Sequence, residues 1–509
     1  IYDERGLTYR ETRGAESAHA VTTQFDYDAN GNERRVLEGV EGSEQITTST
    51  YDCADRLALV EDAMGNQTSF KYDAAGNQIE QSFHGELVDL PGPGANVLLS
   101  RTRVSYDAMN RPVVTSRDHF DPASQTPIGD GASVTTRVYD RESRVILEID
   151  DNGEQAAREY DAAGRPLRTI DAEGNIVELT YDANGNVIER ALTDVSSSST
   201  DAVVGVWRYV YDEGNNLVQT TDPLGNASHN CYDSLGRLTA EVDPRGNRTL
   251  HKHDGLGRLI ESAHVMTDDG TGAGDETDII VTRQTWDDSD RLASREDPGG
   301  NVTLYEYDSL NRLTREQFAD GGANTFSYDA HDNLVSQQDP SGTQLVFGLD
   351  QLGRRVGVTV IPGPGVNADT SFERFAFDGR SLLVGASDDD SQISWRHDSL
   401  GAALLETQTA TGGPARAITY ARDGLGNATA TTYPGGRVVE RSFDGLRRTR
   451  TLTEGGAPLV QFDYLGPSVA RRTYFQPNTT SEYTYDVARR MVASEHVELG
   501  GEVIDSRTY

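Results

Sequence analysis

Residues 211–231 read YDEGNNLVQTTDPLGNASHNC, and residues 232–252 read YDSLGRLTAEVDPRGNRTLHK. The two 21-residue stretches share their punctuation: Tyr-Asp opens each, and Asp-Pro-x-Gly-Asn follows eleven residues after the Tyr. An Asp at the start of a turn accepts backbone N–H groups two or three residues on, and Pro presets φ at the next position. Gly then supplies the left-handed conformation that closes a hairpin with a bulge. Between the turns lie five or six β-forming residues, the usual length of a strand. One unit, YDxxGRLxxxxDPxGNxxxxx, is therefore two short strands and two turns.

Working outward, Tyr-Asp recurs at Tyr2, Tyr27, Tyr51, Tyr72, Tyr106, Tyr139, Tyr160, Tyr181, Tyr211, Tyr232, Tyr307, Tyr328 and Tyr485. Degenerate versions stand at His253-Asp254, Trp286-Asp287, Leu349-Asp350, Phe377-Asp378, His397-Asp398 and Phe443-Asp444. A fixed period of this length marks a repeat architecture. The turn and repeat positions are best defined at Tyr160, Asp161, Gly164, Asp171 and Gly174, then at Tyr181, Asp182 and Gly185. They continue at Tyr211, Asp212, Asp222 and Gly225, at Tyr232, Asp233, Gly236, Asp243 and Gly246, and at Tyr307, Asp308, Tyr328 and Asp329. In the strand before Tyr307, Val302, Leu304 and Glu306 alternate with Thr303 and Tyr305. The Tyr is expected at the strand end, its ring over the neighbouring turn and its hydroxyl in water. Recurrence in every unit is what packing requires, so these rings read as structure and not as a ligand ladder.

The period lengthens after Tyr72, Tyr106, Tyr181, His253 and Leu349. In each case the Tyr-Asp turn is kept and the alternate turn is replaced, giving insertion loops at about 84–101, 118–134, 193–206, 264–281 and 361–371. Alternate turns of an up-and-down ribbon lie on opposite edges, so all five insertions are expected on one edge, where specific contacts would be made. Two strands per unit over 509 residues imply about forty-eight strands. Strand twist of roughly 20–25° per neighbour coils so wide a sheet, and winding also hides its unpaired edges. The expected fold is all-β: a single continuous antiparallel strand-turn-strand array over 1–509, coiled into a spiral shell or hollow barrel-like wall. The chain reads as a fragment of a longer protein.

Composition agrees with a thin wall. Apolar residues make up 36%, Gly is high at 51 and Met low at 4. The net charge of −36 repels phosphate backbones, so nucleic acid is not an expected partner. Cys53 and Cys231 are the only cysteines, too few for a disulfide framework. No apolar run reaches membrane-spanning length.

The unit, best preserved in Tyr211–Asn226, Tyr232–Asn247 and Tyr160–Asn175, resembles the repeat of the Rhs and YD-repeat superfamily. Its members include bacterial Rhs toxins, the C-component of insecticidal ABC toxins, wall-associated bacterial proteins and animal teneurins. The resemblance covers essentially the whole chain and is weakest over the degenerate repeats at about 372–419. It implies a spiral shell around a hollow, which in toxin members sequesters an unfolded C-terminal effector. Those members end in a self-cleaving core with a DPxGL-type motif, and nothing like it stands before Tyr509. Asp222, Asp243, Asp297 and Asp339 lie inside repeats, so autoproteolysis is not carried over to them.

Other chemistry reads as sparse. His251 and His253 share a strand face, but His253 stands in the Tyr slot. Asp268, Asp269 and Asp275 sit in an acidic Gly-rich loop that lacks the spacing of a calcium loop. Sequons such as Asn226-Ala-Ser recur because the turn ends in Asn. No nucleophile elbow, catalytic triad or cofactor fingerprint is found, so no enzyme and no cofactor are expected. The expected function is a secreted or surface shell that encapsulates or presents its own C-terminal segment or toxin cargo. The rival is an extracellular adhesion or carbohydrate-binding wall-associated protein, meeting a glycan or protein receptor through its one-edge loops.

Overall fold

The computed structural model describes residues 1–509 except 15–19, 41, 43, 90–94, 197–201, 269–271, 273, 368, 477 and 499–500. The described residues form 42 strands and no helix, hence none able to cross a membrane. The fold is all-β, a strand-turn-strand array in which paired strands run antiparallel. Fewer strands appear than the period implied, because insertions lengthen strands instead of adding them. Ordinary strands such as Pro166–Ile170 have 5 residues, whereas Val97–Tyr106, Pro112–Asp121 and Thr126–Tyr139 have 10, 10 and 14. Much of the expected loop at 118–134 is thus strand, since extending a hairpin satisfies the backbone groups of the inserted residues.

The register shows how the two turns differ. Tyr160 faces Pro166 and Glu159 faces Arg168, with a bulge between Glu159 and Tyr160. Across the alternate turn, Ile170, Thr169 and Arg168 face Ile176, Val177 and Glu178 with no shift. The bulge returns before Tyr72, Tyr181, Tyr232, Tyr307 and Tyr328. The Asp-Pro turns after Thr221 and Val242 lack it, which corrects the expectation that they carry it too, while irregularities also occur beside the alternate turns at Phe83 and Met266. Both turns share one frame: Gly164 and Gly174 donate N–H to the carbonyls of Asp161 and Asp171, each at 3.0 Å.

The chain divides into two compact units. The first comprises 1–135, 288–293 and 302–436, and the second 136–287, 294–301 and 437–509. Each therefore joins an early to a late segment. In the first unit the insertions follow Gln78–Gly85, Pro112–Asp121 and Arg355–Ile361. In the second they follow Val187–Val195 and Leu259–Thr267. These are odd-numbered strands along the chain, whereas every Tyr-Asp turn from Tyr27 onward follows an even-numbered one, so within each unit the insertions lie opposite the Tyr-Asp turns.

Along the strands, the face bearing the Tyr is the more covered. Thr303, Tyr305 and Tyr307 are half-buried while Val302, Leu304 and Glu306 are exposed. Ion pairs cross the exposed face, as Lys252 and Arg283 do in sharing Glu261 at 2.6 and 3.2 Å. Burial is confined to a few places, among them Leu99, which is 0% exposed. Leu99→Ala is expected to cost about 2–5 kcal/mol in urea unfolding of the intact chain. Leu235→Ala, at the tip of a turn, should stay within about 0.5 kcal/mol of the parent.

Candidate functional site

The Tyr-Asp turns form a ladder along their edge. Asp161 Oδ1 accepts N–H bonds from Ala163 and Arg165, both at 2.9 Å, and its Oδ2 accepts Arg165 Nε at 2.7 Å. The guanidinium then reaches onward, donating to the carbonyl of Asp182 at 3.4 Å and covering the Tyr181 ring at 4.4 Å. Tyr181 donates its hydroxyl back to the carbonyl of Pro166 at 2.8 Å. The same circuit recurs at Arg312. Its Nε bonds Asp308 at 2.7 Å, one terminal nitrogen bonds the Asp329 carbonyl at 2.9 Å, and its plane lies over Tyr328 at 4.9 Å.

Two expectations change here. The Tyr hydroxyls are hydrogen-bonded rather than wet: Tyr160, Tyr232, Tyr307 and Tyr328 donate to the carbonyls of Val145, Leu217, Leu292 and Leu313. The bridging Arg was also missed as a functional residue, although its recurrence at the sixth position of the unit was the available signal. Tyr211 takes the same strand-end place. Asp212, Asp233 and Asp329 cap their turns as Asp161 does. Asp182 does the same, while Asp171, Asp222 and Asp243 cap the alternate turns, each bonded by the Asn four residues on.

Gly164, Gly174, Gly185, Gly225, Gly236 and Gly246 hold φ between +76° and +94°. Where Asn215, Asn311 or Asp332 replaces Gly at φ near +60°, its side chain accepts a bond from the preceding turn. The donors are Asn186, Arg291 and Arg312 at 2.9, 3.0 and 3.0 Å.

A seam joins early and late segments inside each unit, through hydrogen bonds spanning 265 to 295 residues. In the first unit, Asp89 accepts bonds from Arg354 and Asn66 at 2.8 and 3.0 Å. Asn66 is wedged between Gly85 and Gly379, where any side chain would collide with its amide oxygen. His119 Nε2 lies 3.2 Å from Asp398 Oδ2, with both side chains at most 1% exposed. Arg380 bridges the carbonyls of Leu99 and Asp398 at 3.2 and 2.8 Å. In the second unit, Glu173 accepts the Gly445 N–H at 2.7 Å, and Asp194 accepts Arg489 Nε at 2.7 Å.

In both seams the early segment offers the edge opposite its Tyr-Asp turns, and the late segment offers the Tyr-Asp turns themselves. Some of the specific contacts expected of the insertions are thus made within the chain, to the late segment. The degenerate stretch 372–419 takes part, because Asp378 and Asp398, at 2% and 0% exposed, lie in the first seam.

The insertion at 264–281 closes on itself, Asp268 Oδ1 accepting the Asp275 N–H at 3.1 Å, while Asp269 lies outside the described residues. Among the described residues, no three His, Cys, Asp or Glu side chains are arranged to hold a metal. His251 meets Glu241 at 3.4 Å, and Cys53 and Cys231 are free and exposed.

Electrostatics follows the ladder. The Arg237 guanidinium and N–H on Asp233 hold its carboxyl down at about 2, below its ordinary 3.8. A lowered folded-state value means that the stabilisation is complete above 3.8 and is lost as pH falls through about 2. Titration of the Asp233 carboxyl by NMR should give that midpoint, and Arg237→Ala should raise it. Arg312→Lys keeps the charge but loses the fork, and should destabilise the chain by about 1–3 kcal/mol in denaturant unfolding.

Known structures similar to the chain include the crystal structure of TcdB2-TccC3, at 12% identity, TM-score 0.30, 96% of this chain and 38% of that one. Another is TcdB2-TccC3 without its hypervariable C-terminal region, at 11%, 0.31, 94% and 40%. A third is the Photorhabdus luminescens Tc holotoxin pore, at 11%, 0.23, 94% and 40%. The chain thus spans about two-fifths of the length of these chains. No curated protein sequence matches it. Residues 160–197, 181–227, 232–271, 286–323 and 328–360 match the family described as RHS Repeat. These five matches fall on the ladder of capped turns, and the stretch 160–360 is built of repeats of the RHS family.

Proposed function

We propose that this array is a non-catalytic wall, the structural shell of a secreted or surface RHS-repeat protein that encloses or presents another part of its own polypeptide. A toxin effector is the cargo that fits this reading. The observation that carries it is the seam within each unit, where Tyr-Asp turns of a late segment dock on the opposite edge of an early one. Edge-to-edge docking extends a sheet one layer thick into a continuous surface without exposed pairing edges. A surface of that kind separates two spaces.

The chemistry of the seams supports a structural role too. Ser399, His119 and Asp398 come together, but the Ser399 hydroxyl is spent on the Asp118 carbonyl at 2.6 Å and on the Phe120 N–H at 2.8 Å. With His119 buried at 1% exposure, the group presents no nucleophile to a substrate. The acidic surface, net −36, favours solubility and disfavours nucleic acid.

A second reading, adhesion through the insertions, draws on 264–281 and 361–371. These fold against a neighbouring turn of their own segment: Gly272 lies on the backbone of Gly246, and Gly363 N–H bonds Thr343 Oγ1 at 3.2 Å. Limited proteolysis of the full gene product separates the two. Enclosure predicts that sequence outside the array resists protease until the wall is weakened, for instance by Leu99→Ala. Cleavage of that sequence in the intact protein as fast as in isolation would overturn enclosure and leave adhesion.

A further inference from the structure

A seam built from repeats has a physical problem. Successive Tyr-Asp turns are near copies 21 residues apart. Sliding the late segment by one unit would therefore set an equivalent turn on each docking position. Periodic contacts hold such an edge but do not choose its register, just as a regular strand pairs in more than one register unless something irregular specifies one. The insertions are the irregular elements, and three of the five supply seam residues: Asp89, His119 and Asp194.

The contact in the second unit is the most telling. Arg489 sits at the left-handed position of its turn, φ +65°, where most turns carry Gly. Asn215 and Asp332 at this position accept a bond from the preceding turn, and Arg447, at φ +62°, is the other arginine found there. A guanidinium has no acceptor, so it cannot play that part. Nor does Arg489 serve its own turn, since Arg490 makes the usual bond to Asp486 at 2.8 Å. The guanidinium instead crosses the seam and takes both oxygens of Asp194, which is 5% exposed.

The surroundings are cut to the same contact. Gly466 leaves room for Asp194, where any side chain would strike its carboxylate. The next residue, Val195, accepts the Gly466 N–H at 3.2 Å, and Ser196 bridges to Leu465. Leu465 itself stands where the turn aspartate would be. A slip of one unit in one direction would leave Asp194 buried without its cation, Ser468 standing where Arg489 does, and in the other would set Val487 in the space that Gly466 leaves.

We propose that Asp194 and Arg489 are a register key: a buried, non-repeating ion pair that selects which Tyr-Asp turn docks on the 193–206 insertion. The assignment does not depend on what the wall encloses.

The test reads register directly. In the full chain with Cys53 and Cys231 replaced by Ser, Ser196→Cys and Leu465→Cys place two thiols on the bridge, at the Cα spacing a disulfide spans. Mild oxidation should cross-link them rapidly in this parent. Asp194→Arg and Arg489→Asp should each slow cross-linking by about tenfold or more, and the double reversal should recover it. The deciding variant is Arg489→Gly, which keeps the residue most turns carry and relieves backbone strain. A purely local role predicts unchanged cross-linking and a more stable turn, whereas the key predicts the same slowing as the reversals. Cross-linking of Arg489→Gly at the parent rate overturns the proposal, whatever the reversals do.

Discussion

Each Tyr-Asp turn rests on one carboxylate whose two oxygens do different work. In Asp308, Oδ1 gathers the N–H groups of Leu310 and Arg312, while Oδ2 holds the Arg312 guanidinium. The first job closes the turn, and the second aims a rigid, planar cation at the following turn. There it meets a backbone carbonyl, a side-chain acceptor and an aromatic face. A sheet one layer thick cannot fix its strands by burying them, because most side chains keep contact with water. Directional bonds at the edge replace the core. The Arg is suited to this because its fork bonds its own aspartate and the next carbonyl at once, which an ammonium on a flexible stem does not do.

Joining segments edge to edge brings in a second kind of physics. Contacts along a turn ladder are short in sequence and repeated, so each is modest and all are alike. Contacts across a seam are few, long-range and individually distinct, with carboxylates taken almost wholly out of water at Asp89, Asp194 and Asp398. Buried ion pairs are a weak source of stability, because desolvation offsets much of the attraction. Their best-attested use is to specify one arrangement among several of similar energy, and a repeat array has many such arrangements.

Much of the local structure was legible from the chain. The stretch from Tyr211 to Lys252 shows the period, the turn chemistry and the strands, and the phase of the insertions follows from counting turns. The Arg at the sixth position was visible but uninterpreted, since its role depends on a partner about one unit further on. The Tyr hydroxyl was misplaced for the same reason: its acceptor, Leu313 for Tyr328, lies on the neighbouring strand. The stretch 372–419 looked like decay of the repeat. Its departure at Phe377 and its turn at Asp398-Ser399 fall instead where turns meet the other side of a seam.

The sequence by itself determined the period, the β-hairpin unit, the two turn types and which turn class accepts insertions. It could do so because each of these is decided by interactions within about five residues, where Asp, Pro, Gly and Asn act on their own backbone. Only the tertiary structure decided where the ribbon meets itself, which insertions are consumed in the seams and why Arg489 stands in a glycine position. Those contacts join residues 265 to 295 positions apart. The accumulated twist and strand lengths of many units select such partners, and no local pattern records that sum.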